Sequence, residues 1–292
     1  MKKIAVTSFV ALFFCTTVLL VSRSQASART PTCDALPPKT KALSRELFSA
    51  MHPYDGCDQT FERCLAKKPA HPIVLRLAED ICRQLKEGKS REAIERAMAK
   101  RAQSMLSMGK PAVIELDQNT RVGNPLAPVK AVVYACARCP FCKVLVPALH
   151  EAVVSGPLKN KVQLYFRPFP LKDHPGSLEG GLAMVGAGKL GKFWPYLLLL
   201  YKNYDSFCPR AFPDWAASIG IDSEAFEREY KKIENRNALV ASKQEGIRNK
   251  VNATPSLFIN GRKYVYELSV KATIDALLEE YERLTESARR AP

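Results

Sequence analysis

Apolar residues recur along this chain in two rhythms, and the change between them falls near residue 110. Before that point Val74, Leu77, Ala78, Ile81, Cys82 and Leu85 repeat at the spacing of one helical face. Lys39–Met51 reads as a shorter helix, and Asp58 as the cap of one running to about Lys67. Ser90 caps a further helix that carries Ile94, Ala97, Met98, Met105 and Leu106. Pro69, Pro72 and Gly88 punctuate these segments, so residues 29–110 are expected to form a small all-α module. Met108-Gly109-Lys110-Pro111 reads as the join. After it, short apolar runs predict strands at Ala112–Leu116, Val129–Ala135, Val162–Phe166, Ser256–Asn260 and Lys263–Tyr266. Asn260-Gly261 between the last two is a hairpin signal. A helix is expected over Cys139–Val154, a run of helices over about 175–250, and an amphipathic helix over Leu268–Glu286. Residues 111–292 therefore read as an α/β domain with a helical insertion.

The first residues follow neither rhythm. Lys2 and Lys3 precede an apolar run, Ile4–Val21, and Ala26-Ser27-Ala28 has the small-x-small form of a cleavage site. Met1–Ala28 reads as an export signal, with an uncleaved N-terminal membrane anchor as the alternative. The composition, 47% apolar and 14 Gly in 292 residues, excludes a disordered or fibrous chain. Removing the signal takes away three cations and lowers the net charge from +15 to about +12. The charge forms no basic tail and no tract interleaved with aromatics. It is read as a solvated surface with anionic headgroups as a weak neighbour, and no nucleic-acid partner is expected.

Of the nine cysteines, eight remain after residue 28: Cys33, Cys57, Cys64 and Cys82 before the join, Cys136, Cys139, Cys142 and Cys208 after it. So many suits an oxidising, exported setting. Cys139-Pro140-Phe141-Cys142 sits where a buried strand turns into a helix. Unpaired N–H groups and the partial positive charge of a helix start favour a thiolate there. Arg138 and Lys143 add charge beside it, and Pro140 suits the first helical turn. Cys139 is expected to be exposed and to attack, with Cys142 one turn deeper to resolve. Zinc sites share this spacing, and a zinc site using Cys208 is an alternative. Cys57 and Cys64 are seven residues apart, which on one helix means about 10 Å between Cα atoms against a disulfide limit of roughly 7 Å. They are expected not to pair with each other; one bonds Cys82 and the other Cys33. Cys136 and Cys208 are left as a structural pair, or Cys136 competes with Cys142 for Cys139. His52, His71, His150 and His174 are dispersed, and no Ser/His/Asp set, HExxH or phosphate loop is present.

Residues from about Val113 to Glu286, about 60% of the chain, resemble the DsbA-type branch of the thioredoxin superfamily. The likeness is carried by Gly123-Asn124-Pro125-Leu126-Ala127-Pro128-Val129, the Cys139–Cys142 motif, Gly191-Lys192-Phe193-Trp194, and the run Ala253-Thr254-Pro255-Ser256 through Gly261. It implies a thioredoxin fold with an inserted helical domain. It implies a cis Pro255 facing the Cys139–Cys142 pair, with substrate peptide held beside Thr254. The activity implied is thiol–disulfide exchange with exported proteins in the periplasm, with no cofactor and with a membrane redox partner. DsbA carries His beside its second cysteine where this chain has Phe141, so a less oxidising couple is expected. Gly56–Arg101, through Ala78-Glu79-Asp80-Ile81-Cys82-Arg83-Gln84-Leu85, resembles CcmH-type cytochrome c maturation proteins. That resemblance supplies the competing class: a non-catalytic assembly or binding factor for exported or apocytochrome chains.

Overall fold

The computed structural model describes residues 30–106 and 109–290, so the expected signal at Met1–Ala28 lies outside the described residues. Five helices come first: α1 (Pro31–Asp34), α2 (Pro38–Ala50), α3 (Phe61–Ala66), α4 (Pro72–Lys86) and α5 (Arg91–Leu106). The apolar stripe of α4 explains its central place. Val74, Leu77, Ala78, Ile81 and Cys82 are all buried, against Leu47, Phe61 and Ile94 of the neighbouring helices. His71 caps α4, its Nδ1 accepting from Ile73 N–H at 3.3 Å, and Ser90 caps α5 through Ala93 N–H at 3.3 Å.

The cysteine pairing differs from expectation. Helix α3 starts at Phe61 after Thr60, so Cys57 lies in the preceding turn and not on a helix with Cys64. The turn folds back and brings the two Cα atoms to 6.1 Å, and Cys57–Cys64 is a disulfide. Cys33 pairs with Cys82, with Cα atoms 5.1 Å apart.

The second region runs β1 (Arg121–Val122), β2 (Val129–Ala135), α6 (Pro140–Val154), β3 (Val162–Pro168), then α7 (Ser177–Lys189), α8 (Phe193–Lys202), α9 (Phe212–Ser218), α10 (Ser223–Lys231) and α11 (Ile233–Arg248), and closes with β4 (Ser256–Ile259), β5 (Arg262–Tyr264) and α12 (Val270–Arg290). The sheet order is β1-β3-β2-β4-β5, with β2 and β3 parallel and the other pairs antiparallel. Both faces of β2 are covered from Ala131 to Ala135, which is why that stretch reads as an apolar run after the exposed Lys130. Val129, Ala131, Val133 and Ala135 join the core with α6 and α12, while Val132 and Tyr134 pack with Phe169 and Phe258 on the other face. This is a thioredoxin fold with an inserted helical segment, preceded by a helical region. Asn260 and Gly261 both take positive φ (48° and 80°), the backbone a tight hairpin needs.

The expected strand at Ala112–Leu116 does not form. Its alternation is real, with Ala112, Ile114 and Leu116 packed on the Tyr134 cluster and Val113 exposed. Side chains of α11 and of its C-cap Asn249 occupy the place of a partner strand: Glu115 N–H donates to Glu245 Oε2 at 2.8 Å, and Asn249 Nδ2 donates to Val113 O at 3.0 Å. Alternation reports burial, whereas a strand also needs a backbone to pair with.

Helix α12 joins the two regions. Ala272, Ala276 and Leu277 belong to the sheet core, while its acidic side chains meet the first helices. Arg101, fully buried, donates to Asp80 Oδ2 at 2.7 Å, to Glu279 Oε2 at 3.1 Å and to Tyr54 Oη at 3.2 Å. Arg283 pairs with Glu279 at 2.9 Å and with Asp55 at 3.0 Å. Burying such charges is tolerable only because each is met by several partners.

Candidate functional site: a strand-to-helix turn facing a cis proline

The end of β2 turns sharply: Cys139 N–H donates to the Cys136 carbonyl at 3.4 Å, and Cys139 then caps α6 with extended backbone (φ −91°, ψ 125°). Pro140 opens the helix where its missing N–H costs nothing. Cys142 lies in the first turn. Across from this turn the Thr254–Pro255 bond is cis, just before β4. Strand pairing fixes that approach, because Tyr134 of β2 is in register with Ser256. Cys139 Sγ lies 3.2 Å from Thr254 O, so the sequence-expected residues Cys139, Cys142, Thr254 and Pro255 come together.

The thiols are electrically unequal. A hydrogen bond from the Cys142 thiol is the main cause that lowers the Cys139 pKa to about 5. Burial opposes this, and the Thr254 side chain and the backbone N–H groups of Cys142 and Phe141 reinforce it. Cys142 is pushed well up, first by burial and then by Cys139 itself. One sulfur is thus ionised at neutrality and the other keeps its proton.

Two expectations about the surroundings need correction. Cys139 is not exposed: only 1% of it is accessible, because the Thr254 carbonyl closes over the sulfur. Beside it lie Phe141, 72% exposed, and a cleft of about 540 Å³ lined by Phe141, Val144, Leu145, Thr254, Pro255 and Val270. Nor do Arg138 and Lys143 serve the thiolate. The Arg138 guanidinium lies 4.3 Å over Tyr204 and 4.4 Å over Phe207 and donates to the Tyr204 carbonyl. Lys143 pairs with Asp205 at 3.1 Å. Both cations hold the 204–207 loop instead.

Cys136 and Cys208 do not pair. Cys136 is buried with Sγ 2.9 Å from Ser177 Oγ and 3.5 Å from His174 Nδ1, whereas Cys208 is exposed beyond α8. The insertion seats Cys136 at the start of α7 and leaves Cys208 in a surface loop. Among the described residues no three His, Cys, Asp or Glu side chains form a group able to hold a metal, so the zinc alternative has no cluster to rest on. Sequence reading missed Tyr201, whose buried hydroxyl donates to the Cys136 carbonyl at 3.1 Å and steadies the turn. Its place in the apolar run of α8 marks it as core and gives no sign of that bond. Trp194 and Tyr196 pack in the core, and the half-buried His150 ring lies 4.9 Å from that of Trp194.

Comparison with known proteins agrees with the fold. The thioredoxin family model matches residues 115–280. A stretch of 153 residues is 28% identical to a probable disulfide bond formation protein D of Bacillus cereus, covering 48% of this chain and 69% of that one. Another, of 197 residues, is 26% identical to a Na(+)/H(+) antiporter, NhaA 3, of Salinispora tropica. That match takes in 65% of this chain but only 30% of the antiporter, and no helix among the described residues is long and apolar enough to cross a membrane. The fold also matches the crystal structure of Wolbachia pipientis α-DsbA1, with a TM-score of 0.51 at 19% identity, over 60% of this chain and 97% of that one. Across residues 115–280 this chain belongs to the thioredoxin family.

Proposed function

We propose that this protein exchanges disulfides with exported proteins through Cys139 and Cys142. The observation that carries the reading is a cysteine with a pKa near 5, beside a protonated second thiol, at a helix start that faces a cis proline. In the reducing direction the Cys139 thiolate attacks one sulfur of a substrate disulfide. That bond breaks, one substrate sulfur leaves as thiolate, and a mixed disulfide forms on Cys139. Cys142 gives up its proton and attacks Cys139 Sγ; the second substrate thiolate leaves and the protein ends oxidised. Oxidation of a substrate runs the same steps in reverse. With the Cys139 sulfur as thiolate or in a disulfide, no S–H occupies the Thr254 carbonyl, which is then open to accept from a peptide N–H. The apolar cleft beside Pro255 suits an unfolded chain, and the cysteine count suits an exported, periplasmic setting with a membrane protein resetting the pair.

The first helices, residues 29–110, form a unit docked on the catalytic region, residues 111–292, and their CcmH-like sequence makes them the surface by which a non-catalytic holder of chains would act. Insulin reduction and a Cys142→Ser trap separate the two readings. The enzyme reduces insulin, and the variant accumulates mixed disulfides on Cys139. A binder keeps its function with both thiols replaced.

A further inference from the structure

We propose that Cys57–Cys64 is a second redox-active disulfide, which accepts electrons from a dithiol entering the polar cleft of the N-terminal helices. The cleft has a volume of about 720 Å³ and is lined by Asp55, Cys57, Asp58, Lys67, His71 and Glu286. The two sulfurs are inequivalent. Cys57 is partly exposed and borders the cleft, with Lys67 Nζ 3.4 Å from its Sγ. Cys64 is 1% exposed, and its Sγ lies 3.2 Å from the Gln59 carbonyl. A nucleophile can therefore reach Cys57 and not Cys64.

This geometry matches the two half-steps of exchange. A thiolate of the donor attacks Cys57 Sγ, the Cys57–Cys64 bond breaks, and its electron pair goes to Cys64. Cys64 takes up a proton and donates it as a hydrogen bond to the waiting Gln59 carbonyl. The donor's second thiol loses its proton and attacks the donor sulfur joined to Cys57. The mixed disulfide breaks, and Cys57 leaves as a thiolate beside the Lys67 ammonium. Two electrons pass: the dithiol becomes a disulfide, and the cysteine pair becomes a Cys64 thiol and a Cys57 thiolate.

The fold lets this bond open. Cys57 lies in a turn outside any helix, and the bond closes a separation of only seven residues. Opening it releases a short loop and unwinds nothing. Cys33–Cys82 is the internal contrast: both residues are buried in the helical core and the bond spans 49 residues.

The test uses the full chain with Cys139→Ser and Cys142→Ser, so that the outcome does not depend on the site proposed above. The protein is equilibrated over a series of reduced-to-oxidised glutathione ratios, quenched in acid, alkylated and mapped by mass spectrometry, with far-UV circular dichroism on the same samples. Cys57 and Cys64 are expected to become alkylated together while Cys33–Cys82 stays closed and the helical signal is unchanged. Lys67→Gln should require about a threefold higher ratio at the midpoint, since an exposed cation gives the departing thiolate only modest stabilisation. Glutathione should form a mixed disulfide on Cys57 in a Cys64→Ser variant, and none on Cys64 in a Cys57→Ser variant. Opening of both disulfides only as the helical signal is lost overturns the proposal. So does a Cys57–Cys64 bond that stays closed at every ratio.

Discussion

Cys142 and Cys82 are both fully buried cysteines on helices, and they serve opposite ends. Cys82 sits in the middle of α4, where every backbone N–H is already bonded within the helix, and its sulfur is tied to Cys33 inside an apolar cluster. Cys142 sits in the first turn of α6, where its thiol hydrogen bond, backed by the N–H groups of the helix start, lowers the pKa of the neighbouring Cys139 sulfur to about 5. Burial alone does not decide whether a cysteine is a staple or a reagent. What decides is whether its partner is a sulfur held as a thiolate, here by the buried thiol's own hydrogen bond and by the N–H groups of a helix start.

The strongest way to break that contrast is Cys139→Ser. Insulin reduction should fall to the uncatalysed background, while Cys33→Ser/Cys82→Ser should keep its turnover as long as it is folded. Activity assays on both variants at a common low temperature check this; equal losses would show that the staple and the reagent are one system.

Next in size is Arg101→Ala. It strands Glu279 and Asp80 in the interior between the first helices and α12. Removing one member of a buried ion pair costs about 3–5 kcal/mol, and urea unfolding should show a loss of that order. Loss of the Cys33–Cys82 bond should cost about 2–4 kcal/mol by the same measurement. If it costs nothing, the helical region draws its stability from α12 and not from its own core.

These particular residues also show how far the chain could be read. The motif and its place at a strand-to-helix turn were legible, because each is a local feature with a local cause, whereas the cis Thr254–Pro255 bond was expected from the family resemblance alone. The insertion was legible from helical spacing. Illegible were features set by long-range neighbours. Side chains of α11 and of its C-cap Asn249 took the hydrogen bonds that would have made Ala112–Leu116 a strand. A helix start displaced from Asp58 to Phe61 changed which cysteines could meet. The charge beside Cys139 looked functional in sequence, yet Tyr204, Phe207 and Asp205 claimed Arg138 and Lys143. No spacing rule foretells a partner 66 residues away, as Tyr204 is from Arg138.

A pH titration sharpens the difference between the two kinds of cysteine. Cys139 has a lowered pKa in the fold, so its ionisation stabilises the reduced native state most fully above the pKa of an unfolded thiol. That contribution is lost as pH falls toward 5. The stability of the reduced protein relative to Cys139→Ser should therefore rise with pH between about 5 and the ordinary thiol range. In the same window, alkylation of Cys139 should show a midpoint near 5 and slow about tenfold per pH unit below it. A midpoint near 9 would remove the thiolate from the argument.

The smallest effect expected comes from Phe141→His. Phe141 stands between the two cysteines with no charge and no donor to offer, so the Cys139 thiolate rests on Cys142, backbone N–H groups and the Thr254 side chain. An imidazole N–H at this position adds a donor to the reduced form alone. Stabilising the thiolate makes the couple easier to reduce and hence more oxidising. One pKa unit of added stabilisation corresponds to about 30 mV in a two-electron couple. Equilibration of Phe141→His with glutathione should shift the midpoint by roughly that much, and Phe141→Leu should leave it in place. The side chain is 72% exposed, so the shift also measures how far charge on the rim of the cleft reaches the sulfur beneath it. No shift would mean that the thiolate is set wholly from inside, by the helix start and by Cys142.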